Sequence, residues 1–122
     1  MIKLGKFDLG IRFVTVYADP SIYGAKFSYT AHDESRIVIG IADNFHGIIS
    51  NLLHEAAEMV FGEMRLRYTP SPEIGSDNGA YFFAMDHTAF SEAMSRVAVL
   101  VEKLFPILHK LHKKYAKSRN RG

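Results

Sequence analysis

The sequence contains no cysteine among its 122 residues. Disulfides, thiolate metal sites and cysteine nucleophiles are therefore excluded, and any transition-metal site has to be built from histidine and carboxylate side chains. The sequence also has no apolar run close to the roughly 20 residues that cross a bilayer. Its first residues carry no apolar segment followed by a small-residue cleavage site, so no secretory signal is recognised. We therefore expect a cytoplasmic protein without a membrane span.

Acidic residues are absent from the C-terminal end of the chain. Residues 1–102 hold eight basic and thirteen acidic residues, whereas residues 103–122 hold seven basic residues and no acidic one. The sequence predicts one domain over residues 1–108 and a basic helix end or tail over residues 109–122. Cations favour the C-terminal end of a helix, and a solvated basic tail is the preferred interpretation. Phosphate contact with nucleic acid is the less favoured alternative. It would use the cations Lys110, Lys113, Lys114, Lys117, Arg119 and Arg121.

The first 42 residues have the pattern of β-strands. Near-alternating apolar residues over positions 2–17 predict one or two strands, with a break near Gly5 or Gly10. Two further strands are expected over residues 24–31 and 35–42, joined by a short hairpin connection at residues 32–34. Gly40 lies in the last of these strands, where one face is expected to approach another backbone.

Two long helices are expected after these strands. Asp43 and Asn44 signal a helix start, and apolar residues then repeat at three- and four-residue intervals over residues 46–68. This pattern predicts a buried stripe of Ile49, Leu52, Leu53, Ala56, Val60 and Met64. A Pro/Gly-rich loop over residues 69–79 and a short strand over residues 80–85 follow. The second helix is capped near Asp86, reaches about Lys117, and is kinked or divided at Pro106. The predicted fold is α+β, with a small, mainly antiparallel sheet of three or four strands against two long helices.

The first helix carries the residues with the clearest chemical potential. His54 and Glu58 are four residues apart, so their side chains project toward the same point, as two zinc ligands on a helix do. Glu55 is offset around the helix and has the position of the general base in an H-E-x-x-H motif, whose second histidine is Glu58 here. His87, at the junction of strand and helix, is the predicted third ligand, and Asp86 is a candidate to orient it. Zinc lowers the pKa of a bound water to about 7, and Glu55 would accept the proton.

This arrangement resembles the zincin metallopeptidases, and specifically a shortened, variant gluzincin-type domain with histidine and glutamate ligands exchanged in order. It also resembles small metallopeptidase-like proteins of phage and prophage genomes, which share a helix of this kind followed by an Asp-His pair. The resemblance implies a zinc cofactor, a peptide or protein substrate, and a minimal zincin-like fold. It further implies that the strand over residues 36–42 pairs with an extended substrate.

Other interpretations of the same residues remain open. Glu55 and Glu58 with Glu63 and Asp86 would suit magnesium in a phosphate-ester or nucleotide hydrolase. The chain could also be a non-enzymatic interaction module in which the His-Glu pair is merely a solvated neighbour pair. His46 is a lesser alternative ligand, and His109 and His112 are expected at a solvated, cationic helix end. Arg65, Tyr68 and Tyr81 are candidate oxyanion donors, and long apolar helices leave open completion of the core in a dimer.

Overall fold

The computed structural model describes residues 1–10, 12–29, 35–68 and 82–121. It contains a four-stranded sheet, a two-stranded sheet and two long helices, which confirms the predicted α+β class. In chain order the elements are β1 (Ile2–Asp8), β2 (Phe13–Asp19), β3 (Ala25–Tyr29), β4 (Ser35–Gly40), α1 (Phe45–Glu63), β5 (Arg67–Tyr68), β6 (Phe82–Phe83) and α2 (His87–Arg121).

The larger sheet is mixed, with the strand order β1-β2-β4-β3. The pairs β1/β2 and β3/β4 are antiparallel, and the central pair β2/β4 is parallel. Because β4 has a strand on each side, its backbone groups are used within the sheet. The expectation that residues 36–42 pair with an extended substrate is therefore wrong. Among the described strands, β3 is the edge strand on this side of the sheet.

One face of this sheet packs against the hydrophobic core. Val14, Val16, Ile37 and Ile39 are buried there, as the two-residue period of strands predicts. On the opposite face, the guanidinium of Arg36 lies 4.7 Å from the centre of the Tyr17 ring, and the two residues are half-buried. This opposite face is also partly covered, because Thr15 and Val38 are buried there.

Helix α1 begins where Asp43 and Asn44 predicted it. The Asn44 side chain accepts a hydrogen bond of 2.7 Å from the Gly47 amide, which satisfies a free donor of the first turn. The buried residues are Ile48, Leu52, Ala56, Met59 and Val60. Leu52, Ala56 and Val60 are thus confirmed as core residues, whereas Leu53 is 43% exposed and Ile49 and Met64 are half-buried.

Helix α1 also ends earlier than the expected residue 68. Arg65 has a φ of 59°, in the left-handed region that cannot continue a right-handed helix, and β5 starts two residues later. The Leu66 amide donates back to the Phe61 carbonyl, which closes the end of the helix. The apolar spacing continued past residue 63, but the backbone turned into strand.

Helix α2 starts at His87 and is capped by Asp86, whose carboxylate accepts a 2.8 Å hydrogen bond from the Ala89 amide. It runs unbroken to Arg121 and includes Pro106, which lies on the exposed side, so the predicted division at this proline does not occur. Its buried residues are Ala93, Val97, Leu100, Leu104 and Leu108.

The two long helices run in opposite directions. The ring of Phe45, at the start of α1, lies 5.2 Å from that of Phe105 and 5.0 Å from that of His109, both in the C-terminal half of α2. At the other end, the Ala84 amide donates to the Leu66 carbonyl, which brings the start of α2 beside the end of α1. In the described part of the chain, neither helix combines the length and the apolar character needed to cross a bilayer.

Candidate metal centre

The carboxylate of Asp43, just before α1, links the second turn of α1 to the residue before β3. Asp43 accepts a 2.7 Å hydrogen bond from the Gly24 amide, just before β3, and a 3.1 Å hydrogen bond from the side-chain amide of Asn51. These two bonds join the strand, the helix start and the second turn of α1. Asn51 therefore faces β3, and the residue one turn further along α1 faces it as well.

That residue is Glu55, which approaches the outer edge of β3. Gly40 donates its amide to the Gly24 carbonyl, so alternate residues of β3 point their backbone groups toward β4, and Phe27 points its backbone groups away from it. The Phe27 amide donates a hydrogen bond to the Glu55 carboxylate. Glu55 therefore lies half-buried beside the outer edge of β3.

Glu55 lies in a group of three potential ligands with His54 and Glu58. One donor atom from each residue lies within 4.8 Å of the other two. The His54 Nε2 atom is 3.3 Å from the Glu58 Oε2 atom. Two atoms bound about 2.0–2.1 Å from a zinc ion at the tetrahedral angle are themselves about 3.3 Å apart. The spacing of His54 and Glu58 therefore suits two ligands of one metal ion, although a simple ion pair has the same spacing.

The three side chains differ in exposure and in protonation behaviour. The His54 side chain is 66% exposed, whereas that of Glu58 is 22% exposed and Glu55 is half-buried. Burial raises the pKa of Glu55 above its ordinary value, and the neighbouring Glu58 carboxylate raises it further. The charge of His54 and the Phe27 hydrogen bond oppose this shift. A carboxylate with a raised pKa is a stronger proton acceptor, as the role predicted for Glu55 requires.

His87, the predicted third ligand, lies outside this group of three. It is exposed at the first residue of α2, which starts beside the end of α1. His54 lies nine residues before Glu63, the last residue of α1, a rise of about 13 Å. A ligand role for His87 therefore stays a prediction, and it requires the start of α2 to approach the middle of α1.

The carboxylates of the magnesium alternative are not all brought together. Glu63 forms an ion pair of 3.1 Å with Arg12, and Asp86 caps α2. Glu92 pairs with Arg96 on its own helix. Among the described residues, the group that meets the geometry of a metal site is His54, Glu55 and Glu58.

The remaining histidines and loop residues complete the comparison with the sequence. His109 and His112 are half-buried, with rings 5.0 and 5.8 Å from that of Phe45, so the expectation of a solvated position is wrong. His46 is exposed in the first turn of α1. The candidate donor Arg65 is exposed in the turn after α1, and the short predicted strand is observed as β6. The predicted loop at residues 69–79, the hairpin connection at residues 32–34 and Tyr81 lie outside the described residues.

Sequence reasoning missed the link between this site and the sheet. The sequence indicates Asp43 as part of a helix start and Phe27 as part of a strand, and neither pattern predicts a contact with Asn51 or Glu55. The four-residue spacing of Asn51 and Glu55 was a usable signal, because it places a second polar pair beside the His54 and Glu58 pair.

Comparison with protein-family models, with curated protein sequences and with solved structures gave no match for this chain. Its function therefore has to be inferred from its own side chains.

Proposed function

We propose that this protein is a metal-dependent hydrolase in which His54 and Glu58 hold a zinc ion and Glu55 accepts a proton. The observation that carries the proposal is the joint placement of the three residues: two donor atoms 3.3 Å apart, with a partly desolvated carboxylate in the same group. A solvated face of an amphipathic helix has no reason to anchor its middle carboxylate to a strand.

The donor set favours zinc over a harder cation. An imidazole nitrogen suits zinc and other transition metals, whereas magnesium prefers oxygen ligands and water. With one histidine and two carboxylates in the group, the site has the ligand types of catalytic zinc centres. When bound, zinc would polarise a carbonyl and supply a nucleophile at neutral pH.

Glu55 has the properties that proton acceptance requires. Its raised pKa makes it a better base than a fully solvated glutamate, and its carboxylate accepts a hydrogen bond from the Phe27 amide. This hydrogen bond occupies one lone pair of the carboxylate and leaves others for a proton. Glu55 is therefore assigned as the base, although its oxygen atoms also lie within the ligand group.

Extended peptides are the proposed substrate class. β3 is an edge strand of the four-stranded sheet, and the outward backbone groups of Ala25 lie on the side of the strand that Glu55 approaches. An extended chain can add to such an edge through main-chain hydrogen bonds, which select for peptide rather than for a particular side chain. A peptide seated there would run past the base.

The first experiment measures zinc binding by the purified full chain after treatment with a chelator. We expect about one zinc per chain by calorimetry, and loss of most of this affinity in His54→Ala and Glu58→Ala. His46→Ala is the matched control, because His46 is an exposed histidine of the same helix. Unchanged zinc affinity in His54→Ala would remove the ligand assignment. His87→Ala tests the third ligand separately: weaker zinc binding supports that role, and wild-type affinity excludes it.

The second experiment separates the base from the ligands. Glu55→Gln is expected to keep zinc and to lose hydrolysis of an unstructured protein such as casein. Loss of zinc in this variant would make Glu55 a ligand instead of the base. If the wild-type protein binds zinc but cleaves no peptide, the hydrolase proposal fails and a structural metal site remains.

The alternatives give different outcomes in the same measurements. A magnesium-dependent phosphate-ester or nucleotide hydrolase would hydrolyse p-nitrophenyl phosphate with magnesium and gain nothing from zinc. A non-enzymatic interaction module would bind neither ion near stoichiometry. The magnesium-dependent hydrolase and the interaction module are therefore distinguished from each other, and from the zinc hydrolase, by metal binding and phosphate-ester hydrolysis together.

A further inference from the structure

A row of lysines follows one side of α2. Lys103, Lys110, Lys114 and Lys117 are all exposed, and we refer to these four residues as the lysine stripe. Successive members are separated by seven, four and three residues. With 3.6 residues per turn, this spacing keeps the four side chains within about 40° of one line along the helix. Because Lys103 and Lys117 are 14 residues apart, the lysine stripe is about 21 Å long.

No acidic residue lies among these lysines in the sequence. The last acidic residue of the sequence is Glu102, so residues 103–122 contain only basic charges. The Lys103 ammonium lies 5.9 Å from the centre of the Phe7 ring, and that of Lys114 lies 5.5 Å from the centre of the Tyr115 ring. A contact with an aromatic ring does not neutralise an ammonium group, so both lysines keep their positive charge. The stripe therefore concentrates positive potential along one side of α2.

The apolar side of α2 is already used within the protein. Leu104 and Leu108 are fully buried, and Leu111 and Tyr115 pack against the core. A helix that binds a membrane surface inserts its apolar side between lipids, and this side is not free in α2. The partner of the lysine stripe therefore has to be recognised by charge alone.

We propose that the lysine stripe binds the phosphate backbone of double-stranded DNA without reading its sequence. Lysine contacts phosphate as a point charge, and a duplex presents phosphates at regular positions along its length, as a row of lysines along one helix requires. B-form DNA also has a major groove about 12 Å wide that admits a helix, whereas that of duplex RNA is narrow and deep. This site is separate from the metal centre, and either assignment can fail without the other.

The salt dependence of binding tests the number of contacts. Each phosphate contact contributes a slope of about −0.9 to a plot of log affinity against log salt concentration. Four contacts give a slope of about −3.6, or a loss of about 150-fold in affinity between 50 and 200 mM salt. With one lysine removed, the affinity should fall about 40-fold over this salt range, and with three lysines removed it should fall about 3.5-fold.

The experiment uses the full chain and a fluorescein-labelled 20-base-pair DNA of mixed sequence, measured by fluorescence anisotropy over that salt range. Lys114→Gln is expected to weaken binding and reduce the slope by about 0.9. The triple variant Lys110→Gln, Lys114→Gln and Lys117→Gln is expected to lose most of the salt dependence. Lys26→Gln is the matched control, because Lys26 is an exposed lysine on β3.

Three results would overturn the proposal. One is a salt slope that the triple variant leaves unchanged while circular dichroism shows the same fold. Another is tight binding to phosphatidylserine vesicles with no binding to DNA, which would assign the stripe to an anionic membrane surface. Equal binding of duplex RNA would overturn the assignment to DNA.

Discussion

Replacing Gly40 with alanine should destabilise the protein strongly, because the added methyl group would enter another part of the backbone. A Cβ atom at this position would lie 2.7 Å from the Gly24 carbonyl oxygen, 2.8 Å from the Ile22 carbonyl carbon and closer still to the Ile22 oxygen. Ordinary contacts of this kind are about 3.5–4.0 Å. The segment before β3 would have to retreat by roughly 1 Å.

The expected loss of stability can be worked out from the hydrogen bonds that hold residues 22–24 in place. The Ile22 oxygen accepts a 3.1 Å hydrogen bond from the Ala42 amide, and the Gly24 oxygen accepts one of 2.7 Å from Gly40 itself. Overpacking costs about 1–3 kcal/mol, and each weakened hydrogen bond about 0.5–1.5 kcal/mol. We expect Gly40→Ala to lower the free energy of unfolding by about 2–6 kcal/mol, out of a total of about 5–15 kcal/mol.

Urea denaturation followed by circular dichroism measures this loss. Gly24→Ala is the control, because a Cβ there meets no atom within 4 Å and the cost is limited to a φ of +76°. That conformation costs a non-glycine residue about 1–2 kcal/mol. If Gly40→Ala proves less destabilising than Gly24→Ala, the close approach of the backbone at Gly40 is refuted.

Three further predictions concern α1. Zinc at 100 times its dissociation constant should stabilise the protein by about 2.7 kcal/mol, or about 10 °C in a thermal melt, and His54→Ala should abolish the shift. Asn44→Ala removes the cap of α1 and should cost about 1 kcal/mol by urea denaturation, and an unchanged midpoint would contradict the capping role. In metal-free protein, Glu55→Gln should be more stable than wild type at pH 7, because the folded state raises the pKa of Glu55 and penalises its charge. Wild-type stability should therefore fall as pH rises through the interval between the unfolded and folded pKa values, and the advantage of Glu55→Gln should disappear below that interval.

Local patterns predicted the secondary structure well and the sheet order poorly. The break at Gly10, the antiparallel pairing of β3 with β4 and the cap at Asp86 follow from neighbouring residues, and each is observed. The parallel pairing of β2 with β4 joins strands that are not consecutive, and no local signal encodes it. This pairing places β4 inside the sheet and makes β3 the edge strand among the described strands.

The end of α1 shows why periodicity alone misplaces a boundary. Met64 and the residues after it continued the apolar spacing, yet the helix stops at Glu63 and Arg65 takes a left-handed conformation. The short pairing of β5 with β6 favours extended backbone from Arg67 onward. A tertiary contact thus overrides the helical pattern at this point, which the sequence spacing could not reveal.

In the candidate site, contacts within one helix can be predicted from the sequence, whereas contacts between elements cannot. His54, Glu55 and Glu58 share one helix, so helical geometry alone brings their donor atoms close together. Every contact from another element depends on how that element packs, so the sequence does not predict the Phe27 contact, and the His87 contact remains a prediction.

The Phe27 hydrogen bond also bears on whether Glu55 is a ligand or the base. A carboxylate already bonded to the strand edge would lose that bond if it turned fully toward a metal, whereas His54 and Glu58 would give up only their contact with each other. The cost of rearrangement therefore favours His54 and Glu58 as the ligands and Glu55 as the base.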